Sequence, residues 1–229
     1  MLVATLLVLS GCGSNQAPTL PNDGPAPAFS RAAALRFVQK ALTAGQTAVE
    51  DQAFTLTLTD AEVTSFLNIR TELTREMREL GMNQLDQLEG LEGLTGEGFP
   101  VENINPDAWV GLLGGDDEEG QGLLPRLRLG LKDPRVHFRE NGHVVGRGDL
   151  AFLRWRLPVR LVVAPHATSG EMVLDFVEGQ AGRLKLPEFV FDLLGKGIAE
   201  ALLAGQAYAE ITQIRVGMGT FTISGRYNR

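Results

Sequence analysis

FTLTLTDAEVTSFLN, residues 54–68, changes its period halfway along. Phe54, Leu56 and Leu58 alternate with Thr55, Thr57 and Thr59, the two-residue repeat of a strand with one apolar face. After Asp60 the apolar positions are Val63, Phe66 and Leu67, with Leu73 further on, which is helical spacing. At the join, Thr59-Asp60-Ala61-Glu62 has the form of a capping box. In that arrangement the Thr hydroxyl and the Glu carboxylate each accept from the other residue's free backbone N–H. The stretch therefore predicts a strand that runs directly into a helix.

Outward from this switch, Ser30 is placed to cap a helix over about Arg31–Val49, with Leu35, Val38 and Leu42 on one face. Downstream, Gly81–Leu124 loses periodicity and reads as a long acidic insertion, disordered apart from short helical pieces near 82–88 and 107–113. The chain then turns β-rich. Asn141-Gly142 is a strong hairpin signal. In LRWRLPVRLVV, residues 153–163, Leu153, Trp155, Leu157, Val159, Leu161 and Val163 fall on one face, and Arg154, Arg156 and Arg160 on the other. The alternation predicts a strand with an apolar inner face and a wet arginine face, with a bulge or edge at Pro158. Ser169-Gly170 leads into another strand, Glu171–Glu178, which completes a four-stranded meander. Helical spacing returns after Pro187, and two strands around Gly217–Gly219 close the chain.

The 229 residues, 44% hydrophobic and 21% charged, suffice for one domain with a sizeable core. A formal net charge of −7 argues against a nucleic-acid binder. The charge is segregated. From Glu72 to Gly120 there are thirteen acids and two bases, and from Pro125 to Arg160 nine bases and three acids. Such a basic β region either stays solvated or attracts anionic head groups or the chain's own acidic segment. A single cysteine, Cys12, excludes an internal disulfide and a cysteine-cluster metal site. His137, His143 and His166 lack companion ligands at metal-binding spacing, and the run Asp116–Glu119 lacks the alternation of a calcium loop. No nucleophile–base motif or phosphate loop is present, so the expectation is a non-enzyme with no catalytic residues, no metal and no cofactor.

The amino terminus reads as an address. Residues 2–9, LVATLLVL, are too few for a bilayer span of about 20 residues and fit the apolar core of a secretory signal. LSGC, residues 9–12, resembles the lipobox of bacterial lipoproteins at all four positions. The resemblance implies cleavage before Cys12, acylation of Cys12 and an extracytoplasmic, lipid-anchored domain. No base precedes the apolar run, and the expected natural start lies upstream of Met1. Residues 13–29, with Pro18, Pro21, Pro25 and Pro27, read as a tether. The expected organisation is a signal over 1–11, a lipidated Pro-rich tether over 12–29 and a single domain over 30–229 with an insertion at about 81–124.

Four stretches carry a second resemblance: FTLTLTDAEVTSFLN (54–68), KDPRVHFRENGHVVGRGDL (132–150), RLKLPEFVFDLL (183–194) and IRVGMGTFTISGR (214–226). Their order and patterning are similar to bacterial lipid-binding domains of the tubular (TULIP-like) class, of the LmeA-like and YceB-like kinds. The resemblance implies an α+β fold in which a curved antiparallel β-sheet wraps a long helix as a half barrel, with an N-terminal helix added here. It further implies a groove for a phospholipid or other acyl-chain ligand. Candidate lining residues are Phe66, Leu67, Trp155, Leu157, Val159, Leu161, Phe189, Val190, Leu193 and Leu194, each of which can equally be core filling. Arg154 and Arg156 are the head-group candidates. The expected partner is membrane lipid, as covalent anchor and as bound ligand. An alternative is a structural or assembly lipoprotein that binds another envelope protein through the acidic insertion.

Overall fold

The switch at Thr59 forms as its side chains dictate. Glu62 N donates to Thr59 Oγ1 (3.3 Å), and Thr59 N donates to Glu62 Oε2 (2.9 Å). In the computed structural model, which describes residues 23–80, 130–152, 155–186 and 209–227, this junction joins β1 (Ala53–Thr59) to α2 (Asp60–Leu80). Before it lies α1 (Arg31–Asp51), whose first turn is capped by Ser30 Oγ accepting from Ala33 N at 3.1 Å. Gln52 takes a left-handed conformation, φ 56°, and turns the chain from α1 into β1. The remaining elements are β2 (Gly130–Phe138), β3 (Val144–Phe152), β4 (Trp155–Thr168), β5 (Glu171–Ala181), β6 (Leu184–Lys185), β7 (Ala209–Gly217) and β8 (Thr220–Tyr227).

The fold is α+β with antiparallel strands. The single sheet expected from the sequence is two sheets among the described residues: β2-β3-β4-β5-β6 and β1-β8-β7. The meander β2 to β5 is as expected, because successive strands are only a few residues apart in the chain. At Asn141-Gly142 the turn is a three-residue loop, with Gly142 at φ +82° and its N–H donating to Arg139 O. Ser169 and Gly170 both have positive φ, the two-residue turn that matches strand twist. The terminal hairpin instead pairs with β1, Thr57 opposite Thr222 and Leu56 opposite Ile223. The polar face of this small sheet is laced by hydroxyl pairs, Thr55–Ser224 at 3.1 Å and Thr57–Thr222 at 3.0 Å. Pro158 is not bulged but does take an edge position: it pairs with Asp149 of β3, and on its other side the β4–β5 ladder begins only at Val159–Ala181. Its carbonyl accepts from Gly182 N (2.7 Å), just past β5, so its missing N–H falls at the end of that ladder.

α1 and α2 lie antiparallel, Phe37 stacked on Phe66 with centroids 4.2 Å apart. Arg31 bridges Glu72 (3.2 Å) and Glu76 at one end of the pair, and Lys40 bridges Glu62 (2.8 Å) at the other. α2 also closes the outer edge of β2. Asp60, Thr64 and Asn68, one turn apart, face that edge. Phe138 N donates to Asp60 Oδ1 (2.9 Å), Val136 N to Thr64 Oγ1 (2.9 Å), and Asn68 Nδ2 to Pro134 O (2.8 Å). An edge strand left with free backbone groups invites pairing with another chain, and three polar side chains prevent it here. The two sheets meet where Phe138 stacks on Phe221 (5.4 Å), Gly219 N donates to Phe138 O (3.0 Å) and Ile211 N donates to Gly170 O (2.7 Å). The expected helix after Pro187 and the insertion at 81–124 lie outside the described residues.

Candidate functional site: the two faces of the larger sheet

The register sorts β3 and β4 into two faces. Paired residues share a face, and neighbours along a strand alternate. Leu150–Leu157, Gly148–Val159, Gly146–Leu161 and Val144–Val163 lie on one side. Val163–Phe176, Pro165–Leu174 and Ala167–Met172 continue that side onto β5. It is apolar, as the alternation in 153–163 predicts, but not uniformly filled. Opposite Leu161 stand Gly146 on one neighbour and Gly179 on the other. A Cβ built at Gly146 meets nothing within 4 Å. Gly179 is buried, so the open ground lies at Gly146, and Leu157 on the same face is 43% exposed.

The other face carries Arg135–Arg147–Arg160–Gln180–Lys185 in one row across five strands. The sequence predicts this face wet. At its centre it is dry: the Arg160 side chain is 6% exposed, and Val145 and Val162 beside it are buried. Buried with these residues is Asp23, from the stretch read as tether, whose carboxylate is 2% exposed. Arg160 grips Asp23 with two bonds, Nε to Oδ2 (2.8 Å) and Nη2 to Oδ1 (3.0 Å). Arg147 Nε donates to Oδ2 (2.5 Å), and Arg139 Nη2 closes on Oδ1. Arg160 Nη1 then reaches Glu178 (2.9 Å), itself held by Gln180 Nε2 (2.9 Å). A planar guanidinium suits this paired recognition of a carboxylate. Burial pushes the Asp23 carboxyl up, but the hydrogen bonds and charges of Arg160 and Arg147 outweigh it and lower its pKa from 3.8 to about 2.

Beside this cluster lies His137, buried on the same face, with Nδ1 4.0 Å from Asp60 Oδ2. Burial lowers the His137 pKa against the pull of the Asp60 and Asp23 charges, so the ring is neutral at neutral pH. Burial likewise raises Asp60, against the bond from Phe138 N. His143 sits against Asn141 (3.1 Å), and His166 pairs with Asp175 (3.4 Å) on the surface. Among the described residues no three His, Cys, Asp or Glu side chains gather as metal ligands.

Of the lining candidates, Phe66 packs between the helices against Phe37, and Leu67 is half-buried in α2. Leu157, Val159 and Leu161 share the apolar face of β4, with Val159 buried. Trp155 opens β4 opposite Phe152, and its side chain lies outside the described set. Arg156, exposed, is on the arginine face, opposite in direction to Leu157. Cys12, Arg154, Phe189, Val190, Leu193 and Leu194 lie outside the described residues. Sequence reasoning missed Asp23. Its signal is that it is the sole acid before Glu50, set in a proline-rich stretch, while the bases cluster more than a hundred residues away. Compared with known proteins, the chain matches no family model, no curated relative and no solved structure.

Proposed function

We propose that the chain is a lipoprotein of the bacterial envelope, anchored through Cys12 on the extracytoplasmic side, whose domain takes an acyl chain on the apolar face of the larger sheet. The observation that carries this reading is the open ground above Gly146. Gly146 pairs with Leu161, and a side chain added at Gly146 would enter open space. A surface that only filled a core would close over such a gap. Each methylene withdrawn from water onto it is worth about 0.8 kcal/mol, so a chain of ordinary length gains enough to be held. In the TULIP-like form of this reading, the sheet curves round the helix expected after Pro187, and the slot between them takes the tail. Arg156 faces away from Leu157, so the role proposed here is confined to the tail.

The test is native mass spectrometry and lipid extraction of the purified chain, with displacement of a fluorescent fatty-acyl probe. Co-purified lipid and a probe-binding site that Gly146→Phe weakens at least tenfold, with the fold unchanged by circular dichroism, are the expected results. A ligand-free protein that ignores acyl probes overturns the proposal.

A further inference from the structure

The arginine cluster is charged and hydrogen-bonded beyond what its occupant needs. Arg139, Arg147 and Arg160 bring three positive charges against Asp23 and Glu178, a surplus of one within the cluster. Arg160 is 6% exposed and Arg147 22%, while Arg139 and Glu178, at 37% and 41%, reach water, so the surplus charge is only partly screened. The donors are also in excess. A carboxylate offers about four lone-pair sites, all in one plane, and Arg160, Arg147 and Arg139 already supply four bonds to Asp23. Arg147 Nη2, buried and in ionic contact with Asp23, makes no hydrogen bond. Guanidiniums converging from three positions on β2's end, β3 and β4 describe a site for a rounder and more highly charged acceptor than a carboxylate.

We propose that Arg139, Arg147 and Arg160 form a binding site for a phosphate-type oxyanion, and that Asp23 is its built-in occupant. A phosphate monoester dianion would cancel the surplus: three arginines balance Glu178 and two phosphate charges. Its non-planar oxygens also give Arg147 Nη2 an acceptor. Because Asp23 belongs to the segment that leads back towards Cys12, oxyanion binding displaces that segment, and segment and oxyanion compete for the same arginines. The cluster lies on the sheet face opposite the leucines, so this inference stands independently of the acyl-chain reading.

The experiment titrates the full-length chain, wild type and Asp23→Ala, with inorganic phosphate, using chloride at equal ionic strength as reference and thermal denaturation as readout. The expected result is an apparent phosphate affinity at least tenfold higher in Asp23→Ala than in wild type, lost again in Asp23→Ala/Arg160→Gln. If Asp23→Ala does not fold, Asp23→Asn replaces it, and phosphate is expected to raise its Tm where chloride does not. Monomeric dihexanoyl phosphatidic acid, with dihexanoyl phosphatidylcholine as control, distinguishes the sources. Stabilisation by phosphatidic acid assigns the site to a lipid head group, and stabilisation by inorganic phosphate alone assigns it to a free solute. Equal, chloride-like responses of wild type and the Asp23 variants to phosphate and phosphatidic acid overturn the proposal and leave Asp23 a structural clasp.

Discussion

Two carboxylates are buried against cations in this molecule, and they are held in opposite ways. Glu62 is 5% exposed, caps the helix in which it sits, and meets Lys40 and Arg36, whose side chains are 40% and 56% exposed. Asp23 is 2% exposed and meets Arg160, which is 6% exposed. If Glu62 is lost, its cations return to water. If Asp23 is lost, Arg160 and most of Arg147 stay buried beside each other, with only the partly exposed Glu178 left to neutralise them. Whether the cation can rehydrate, more than the depth of the acid, sets what each centre is worth.

The largest effect expected from this contrast is at Asp23. Replacement by Ala should lower unfolding free energy by about 3–5 kcal/mol, the range for breaking a buried pair, measured by urea denaturation. Glu62→Ala should cost less, about 2 kcal/mol, mostly the lost capping bond and the weakened link to Lys40. A larger loss at Glu62 than at Asp23 would reverse the comparison.

Acid should separate the two centres more gently. The Asp23 pKa is lowered from 3.8 to about 2 on folding. A depressed carboxylate stabilises above its unfolded pKa and loses that contribution as pH falls through the folded value. The stability attached to Asp23, about 2 kcal/mol at 1.36 kcal/mol per unit, should therefore disappear between about pH 4 and pH 2. Glu62 is lowered too, by the Lys40 and Thr59 bonds acting against its burial, and its contribution begins to fall below pH 4.5. Asp23→Asn should flatten the stability profile in the pH 4 to 2 window, and Glu62→Gln should remove only the Glu62 contribution, which begins to fall at higher pH, and keep the Asp23 part. The smallest change is expected at the purely local cap: Ser30→Ala should cost about 1 kcal/mol.

The same contrast shows what the sequence can tell. The cap at Glu62 was legible because its two residues are near in the chain, whereas the Lys40 bond to Glu62, 22 residues apart, was not. Thr59 is three residues away, and the period change from Leu58 to Val63 locates the junction. The β2–β5 meander was legible for the same reason, through Asn141-Gly142 and Ser169-Gly170. The Asp23 cluster was not, because its parts are separated by 116 to 137 residues. Alternation along β4 correctly put Arg160 opposite Leu161, but alternation sorts faces without saying which face water reaches. The pairing of β1 with β8 was hidden likewise, since the alternating runs at 54–59 and 220–224 fit either sheet until their register is known. On the apolar face, the leucines could be read in the sequence. The gap above Gly146 could not, because it depends on Gly146 pairing with Leu161 across two strands.

The account rests most directly on the docking of Asp23 into the arginines, and a double-mutant cycle between Asp23→Asn and Arg160→Gln measures it. A coupling of about 2 kcal/mol or more is predicted, with the double variant less destabilised than the sum of the single ones. Additivity within about 0.5 kcal/mol would contradict it, since two groups that do not meet have no energy to share.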